Sequence, residues 1–158
     1  MKITLLSIGK TEENYLQQGI EMYIKRIHHY LTFEHLIIPA LKNTKNLSQA
    51  EQKEKEAILI FQKIKPTEKY ILLDEQGTQF TSFSFSQSLQ GYMNAGLKNI
   101  LFIVGGPYGF SEEVYAKALG KVSLSKLTLS HQMVRLLFVE QVYRALTILK
   151  GEPYHHQG

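Results

Sequence analysis

The fold of this chain is decided by residues 99–130, which read NILFIVGGPYGFSEEVYAKALGKVSLSKLTLS. The stretch opens on a continuous apolar run, Asn99–Val104, rich in β-branched and aromatic residues. Such a run predicts a strand buried on both faces, as found inside a parallel sheet. Gly105 and Gly106 end this strand, and glycine permits a positive φ and the close approach of another group. The pattern therefore indicates an α/β protein with a tight turn after a central strand.

A short helix, another strand and an unusual loop complete the stretch. Ser111 predicts the N-cap of a helix that runs to about Leu119, and Lys121–Leu124 predicts the next strand. The loop that follows, Ser125–Ser130, is too apolar for an ordinary solvated loop and too irregular for the interior of a strand. We interpret this loop as the wall of a pocket.

The topology of parallel sheets indicates where that pocket lies. Ligands of open α/β sheets bind outside the carboxyl ends of the strands. The end of the strand at Leu73, with Asp74 following, should meet the Gly105-Gly106 turn and the Ser125–Ser130 loop there. Taken alone, GGPYG is more typical of a plain strand-to-helix turn, because short glycine motifs often carry no function. The apolar loop favours a ligand site.

Composition limits the class of protein. The chain has 158 residues, 44% hydrophobic and 20% charged, which predicts one globular domain over residues 1–158. No apolar stretch is long enough to span a bilayer and the first strand lacks the layout of a signal peptide, so we expect a cytoplasmic protein with no membrane partner. The absence of cysteine excludes disulfides, thiolate nucleophiles and cysteine metal sites. A net charge of +4 weakly favours an anionic partner such as nucleic acid.

Strands and helices alternate along the rest of the chain. Lys2–Ile8, Phe33–Ile38 and Lys69–Leu73 predict three more strands. Thr11 and Ser48 are expected to cap the two helices between them. Pattern alone favours an unknotted flavodoxin-like sheet, because protein chains rarely thread through themselves. In this interpretation residues 74–79 form a loop, and residues 49–56, which are polar all round, project into solvent or towards a partner.

The last helix, Gln132–Lys150, is apolar on almost every side. It should therefore be buried on both sides, and in so small a domain one side is expected to belong to a second copy of the chain. We predict a homodimer. Glu140 and Arg144 stand four residues apart and can pair along the helix. Arg135 is either part of an internal ion pair or a functional arginine, and the sequence leaves both open.

Three segments resemble the RlmH (YbeA) family of SPOUT RNA methyltransferases: LFIVGGPYGF, VSLSKLTLSHQMVRLLFVEQVYRA and the terminal GEPYHH. The similarity runs nearly end to end, from MKITLLSIGK to the Pro-Tyr-His tail. It implies a parallel sheet flanked by helices with a C-terminal trefoil knot, the α/β-knot, over about residues 99–150. It also implies S-adenosylmethionine-dependent methylation at N3 of a pseudouridine in 23S rRNA, on the assembled ribosome, by a homodimer.

The resemblance assigns roles to residues of this chain. It implies that the cofactor lies against the end of the third strand, the glycine turn and the apolar loop, at Leu73, Gly105, Leu124, Ser125, Lys126, Leu127, Thr128 and Leu129. Lys126 is expected to point away from the sulfonium or to reach the methionyl carboxylate. A side chain at Gly105 is expected to enter the crevice that the cofactor fills. No metal is expected, because the methyl donor is already activated.

The acceptor side is predicted to involve Arg144, Tyr154 and His155. The arginine would hold a phosphate or a carbonyl, and the tyrosine or the histidine would remove the N3 proton. The other interpretation, that Pro153-Tyr154 merely anchors the C-terminus, stays open. The chain departs mildly from the family where His156-Gln157-Gly158 follow the tail motif.

One function from a different class competes with the enzyme. A flavodoxin-like module could bind a nucleotide or a flavin without catalysis. Phosphate binding would need a P-loop lysine or a Ser- and Thr-rich helix N-terminus, and Gly9–Asn14, GKTEEN, offers only a hint of one. The resemblance favours the methyltransferase.

Overall fold

The computed structural model describes residues 1–156, so Gln157 and Gly158 of the extra tail lie outside the described residues. Five strands and five α-helices alternate along residues 1–156. The elements are β1 (Lys2–Ile8), α1 (Asn14–Ile27), β2 (Thr32–Ile38), α2 (Gln49–Lys63), β3 (Lys69–Gln79), α3 (Ser82–Asn94), β4 (Asn99–Val104), α4 (Glu112–Lys117), β5 (Gly120–Ser123) and α5 (Met133–Leu149). A short 3₁₀ helix, Thr44–Asn46, precedes α2.

The five strands form one parallel sheet in the order β2-β1-β4-β3-β5. The parallel α/β class is confirmed. A flavodoxin-like sheet would place β3 beside β1, whereas here β4 lies between them, with Phe102 opposite Leu5 on one side and Ile71 on the other. The unknotted flavodoxin-like order is therefore wrong for this chain. The knot over about residues 99–150 stays a prediction.

Both faces of the sheet are covered, as the apolar strands require. One core contains Phe102 and lies beneath α1, α3 and α5. The other contains Leu101 and Ile60 and lies beneath α2 and α4. Neighbouring residues of β4 enter opposite cores because successive side chains of a strand alternate between faces. Within the described part of the chain, no helix is long and apolar enough to cross a membrane.

Strand β3 is longer than predicted. Residues 74–79 continue the strand instead of forming a loop, and pairing with β5 resumes after a register shift between Leu73 and Thr78. Gly77 makes this possible, because a Cβ there would lie 2.6 Å from the carbonyl carbon of Lys121. Only glycine permits so close an approach of two backbones. The requirement comes from a distant strand, so the local sequence does not reveal it.

Three of the five α-helices described begin at a side-chain cap, and α1 and α5 do not. Ser48, Thr81 and Ser111 each accept a hydrogen bond from the first turn of the helix that follows. Thr11 does not cap α1, which begins at Asn14 without a side-chain cap. The buried hydroxyl of Thr11 instead accepts a hydrogen bond from Arg135.

Candidate active site

A cavity of about 570 Å³ opens at the carboxyl ends of β3, β4 and β5. A volume of this size is typical of a small-molecule site. Its lining combines the three segments expected to meet at this edge, and consists of residues 73–76, 104–110, 122–125 and 127–131 with Gln49, Tyr115 and Val134. No lysine or arginine of the described residues belongs to this lining. The cavity therefore offers no cationic side chain to a phosphate.

The glycine turn is shaped by an aromatic ring behind it. A Cβ at Gly105 would lie 2.9 Å from the ring of Phe110, which is itself buried at the cavity wall. A side chain at Gly105 would therefore meet Phe110 first, and the expectation that it enters the crevice stays a prediction. Gly109 closes the turn at φ +82°, and its N–H donates to the carbonyl oxygen of Gly106 at 3.3 Å.

A buried carboxyl group lies against the next glycine. A Cβ at Gly106 would lie 2.7 Å from Oε2 of Glu56, a residue that is only 5% exposed. Oε1 of Glu56 has no hydrogen-bond partner within residues 1–156. Burial raises the pKa of this carboxyl group. The prediction that residues 49–56 all project into solvent is therefore wrong at Glu56.

One hydrogen bond within the apolar loop and one to β3 hold the loop in place. Ser125 Oγ accepts the N–H of Leu127 at 2.9 Å, and Thr128 donates its hydroxyl hydrogen to Oε2 of Glu75 at 3.1 Å. The second bond ties the loop to β3 across the cavity. Leu127 is 76% exposed although it is apolar and lines the cavity. Lys126, predicted to contact the cofactor, lies outside the lining.

Carboxylates line the β3 side of the cavity. Tyr115 donates its phenolic hydrogen to Oδ2 of Asp74 at 2.5 Å. Burial and this bond raise the pKa of Tyr115 to about 12, so the phenol stays protonated at neutral pH. Asp74 and Glu75 are suited to accept hydrogen bonds from hydroxyl or ammonium groups of a ligand. The sequence placed Asp74 at this site, directly after the strand, but it gave no signal for Glu75 or Tyr115.

Arg135 joins the start of α5, which borders the cavity, to the loop after β1. The side chain is fully buried and donates to the main-chain oxygens of Ile8, Gly9 and His131 and to the hydroxyl oxygen of Thr11. No carboxylate of residues 1–156 forms an ion pair with it. The internal ion pair is therefore wrong for Arg135, which joins main-chain carbonyls as a clamp, and a functional role stays a prediction.

The residues predicted for the acceptor side form one cluster at the other end of α5. Arg144 Nη1 lies 3.3 Å from Nδ1 of His155, and its guanidinium lies over the ring of Tyr154 at 4.6 Å. Glu140 joins them, because its Oε1 accepts from Arg144 at 2.5 Å and from the Tyr154 hydroxyl at 3.0 Å. The Glu140–Arg144 pair is confirmed, and the sequence missed only that Tyr154 shares it. We call Glu140, Arg144, Tyr154 and His155 the tail cluster.

The tail cluster and the cavity lie apart in one chain. Val134, in the first turn of α5, lines the cavity, whereas Arg144 follows ten residues later. At 1.5 Å per residue the two positions are about 15 Å apart along the helix axis. No member of the tail cluster lines the cavity.

Comparison with known proteins identifies the family. A family model described as "Predicted SPOUT methyltransferase" matches residues 1–155. Proteins named "Ribosomal RNA large subunit methyltransferase H" are 57% identical in Flavobacterium psychrophilum, 54% in Parabacteroides distasonis and 50% in Bacteroides thetaiotaomicron. Each match covers 99% of this chain and 100% of the relative. This chain therefore belongs to the SPOUT methyltransferase family and is an S-adenosylmethionine-dependent methyltransferase.

Proposed function

We propose that this protein methylates N3 of a pseudouridine in 23S rRNA of the assembled ribosome. The names of full-length relatives support large-subunit rRNA as the substrate. The resemblance of the sequence motifs supports the position on the base. The observation that carries the proposal is the cavity itself, because the loop that forms its apolar wall is the segment in which the resemblance places the cofactor.

The cavity suits S-adenosylmethionine better than a phosphorylated ligand. Leu73, Leu124 and Leu129 supply apolar contacts for an adenine, and the backbone at Gly105 allows close approach. Ser125, Leu127 and Thr128 complete the wall. The absence of lysine and arginine from the described lining disfavours a flavin or nucleotide phosphate and avoids repulsion of a sulfonium. These observations weigh against the flavodoxin-like alternative.

The acceptor half of the site comes from the partner in a homodimer. The tail cluster lies too far along α5 to serve the cavity of its own chain. Helices α1 and α5 pack together, and Met22 and Leu137 on them remain 42% and 37% exposed. An apolar face of this kind is expected to be buried against a second copy. An antiparallel arrangement of two α5 helices would bring each tail cluster to the other cavity.

The tail cluster supplies the proton chemistry. S-adenosylmethionine, when bound, supplies a methyl group already activated as a sulfonium, so the chain has only to align the base and remove the N3 proton. Burial and the bond to Glu140 raise the pKa of Tyr154 above its usual value, so this phenol acts as a donor. We assign removal of the N3 proton to Nδ1 of His155, which takes the proton after it exchanges its contact with Arg144 Nη1 for the base. Arg144 holds a phosphate or carbonyl, and Glu140 positions Arg144 and Tyr154.

Mass spectrometry of rRNA nucleosides tests this function. Ribosomes that lack the modification are incubated with the protein and S-adenosylmethionine labelled in its methyl group, beside isolated subunits and free 23S rRNA. One labelled N3-methylpseudouridine is expected, with the assembled ribosome as the best substrate. Arg144→Ala should bind the cofactor normally and transfer no label. Label in another nucleoside, or faster reaction of free RNA, would contradict the proposal.

A further inference from the structure

His131 is a cavity residue that neither the motif comparison nor the site described above uses. It lines the cavity between the apolar loop and the first turn of α5. Its Nδ1 is enclosed by protein and has no hydrogen-bond partner within residues 1–156. Buried nitrogen atoms without a partner are rare in folded proteins, so the protonation of this ring calls for an explanation.

The surroundings assign the proton to the other ring nitrogen. Burial and the nearby charge of Arg135 lower the pKa of His131, while Glu12 opposes them more weakly, so the imidazole is neutral at pH 7. A stranded N–H is rarer in proteins than an unpaired acceptor, and the positive charge of Arg135 favours a lone pair on the enclosed Nδ1. The neutral ring therefore carries its proton on Nε2, which leaves an N–H donor on the edge that is not enclosed.

The charges around the cavity indicate what this donor meets. Asp74 and Glu75 make the β3 side negative, whereas the Arg135 guanidinium lies behind His131 and donates to its carbonyl oxygen at 3.2 Å. An anionic group of a ligand is therefore best placed beside His131. The only anionic group of S-adenosylmethionine is its methionyl carboxylate.

We propose that the Nε2–H of His131 donates to the methionyl carboxylate of S-adenosylmethionine, an inference that rests on the proposed use of this cavity for the cofactor. A neutral donor holds the carboxylate without adding a positive charge beside the sulfonium. Bonds of the neighbouring residue anchor the chain beside the ring in advance. Gln132 Nε2 donates to the carbonyl oxygen of Lys10 at 3.1 Å, and Gln132 Oε1 accepts the N–H of Glu12 at 2.9 Å. Such preorganisation reduces the entropy cost of binding.

Calorimetry with two ligands and two variants tests the contact. The ligands are S-adenosylmethionine and its decarboxylated form, and the variants are His131→Ala and His131→Gln. A hydrogen bond to a charged group predicts that His131→Ala weakens S-adenosylmethionine binding about tenfold to hundredfold. The same variant should bind the decarboxylated ligand as well as the natural protein does. His131→Gln, whose amide can place a neutral donor near Nε2, should restore much of the affinity, and His29→Ala in the exposed turn after α1 should change nothing.

Three outcomes would overturn the contact. They are an unchanged affinity of His131→Ala for S-adenosylmethionine, an equal loss for both ligands, and no recovery in His131→Gln. Thermal unfolding of each variant checks the fold. If His131→Ala does not fold, His131→Asn, whose amide is too short to reach the place of Nε2, replaces it with the same expectations. The cofactor site itself is tested by a substitution of Leu127, on the apolar loop of the cavity. If that substitution also leaves cofactor binding unaffected, the cavity is not the cofactor site, and it is the proposed function that fails.

Discussion

Arg135 Nη1 donates to the main-chain oxygen of Gly9 at 2.8 Å, across 126 positions of sequence. The bond joins the start of α5 to the loop after β1. With the bonds to Ile8, Thr11 and His131, it satisfies oxygens that burial would otherwise leave without partners. The clamp therefore fixes one wall of the cavity by a fully buried cation with no acidic partner in residues 1–156.

Replacing the clamp should destabilise the whole fold. Arg135→Met fills similar space but leaves buried carbonyl oxygens unpaired, so we expect the free energy of unfolding to fall by about 3 kcal/mol. Chemical denaturation measures this change. Lys55→Met is the control, because Lys55 is exposed on α2 and its loss should cost under about 0.5 kcal/mol. Equal stability of the two variants would show that the clamp contributes little.

The exposed apolar side chain of Leu127 predicts a separation of binding from stability. Leu127→Asp should leave the unfolding transition nearly unchanged, since the side chain is 76% exposed. Cofactor affinity should fall at least about tenfold, because a buried leucine contributes about 1.5–3 kcal/mol. Ile58→Asp on α2 is the matched control, as Ile58 is 58% exposed and lies outside the cavity lining. Calorimetry showing equal affinities for the two variants would contradict the placement of the cofactor.

Glu56 predicts a pH dependence of stability. Its pKa is raised in the folded state, so the folded protein binds more protons than the unfolded chain as pH rises above about 4.5, and stability is lost over that range. Glu56→Gln removes the ionisation, so the variant should be more stable than the natural protein at about pH 8 and similar to it at about pH 4. Urea unfolding across this range measures the difference. Glu54→Gln, at an exposed neighbouring position, should follow the natural protein throughout. If the free energy of unfolding changes with pH in the same way for the natural protein and both variants, ionisation of Glu56 does not destabilise the fold.

Local signals explain how much of the fold the sequence predicts. The run Asn99–Val104 is apolar at every position but the first, which indicates a strand buried on both faces whatever its neighbours are. Ser111 caps the next helix through a bond within its own turn. The order of strands depends on contacts between distant segments. Placement of β4 between β1 and β3, and the need for glycine at Gly77, therefore become visible only in the structure.

The same distinction applies to the site. The convergence of Leu73, Gly105 and the apolar loop follows from the rule that ligands bind at the carboxyl ends of parallel strands. Glu56 sits in a polar stretch, and only its distance to Gly106 reveals that it is buried. No sequence pattern marks His131, because its proposed role depends on the charge of Arg135, which lies next to it in the structure. Residues whose function comes from a neighbour in space escape a sequence interpretation.

Methyl transfer is expected to be independent of metal ions. The sulfonium needs no Lewis acid for activation, and in the proposed mechanism a side chain of the tail cluster removes the proton. Addition of EDTA should leave initial rates of ribosome methylation unchanged, within a factor of about two. Because ribosomes need magnesium, the assay requires a chelator concentration that spares their folding, monitored by sedimentation. Loss of activity on folded ribosomes that a divalent metal restores would contradict this mechanism.

Separate tests address the role of the tail. Truncation after Gly151 removes Tyr154 and His155 but leaves α5 complete. The truncated protein should dimerise and bind the cofactor, yet transfer methyl groups at least about a hundredfold more slowly, because general base catalysis typically contributes that much. If sedimentation shows that the natural protein is a monomer at micromolar concentration, the dimeric site is excluded. Full activity of the truncated protein would remove the tail from the mechanism.

Mixed dimers distinguish a shared site from a site within one chain. Leu127→Asp disables the cavity and Arg144→Ala disables the tail cluster, so each variant alone should be inactive. In a dimer that contains one copy of each, a shared site pairs the intact cavity of one chain with the intact tail cluster of the other. Random pairing makes half of the dimers mixed, with one of two sites active, so coexpression should restore about a quarter of the natural activity. A site within one chain would carry one defect in every copy, and the mixture would stay inactive.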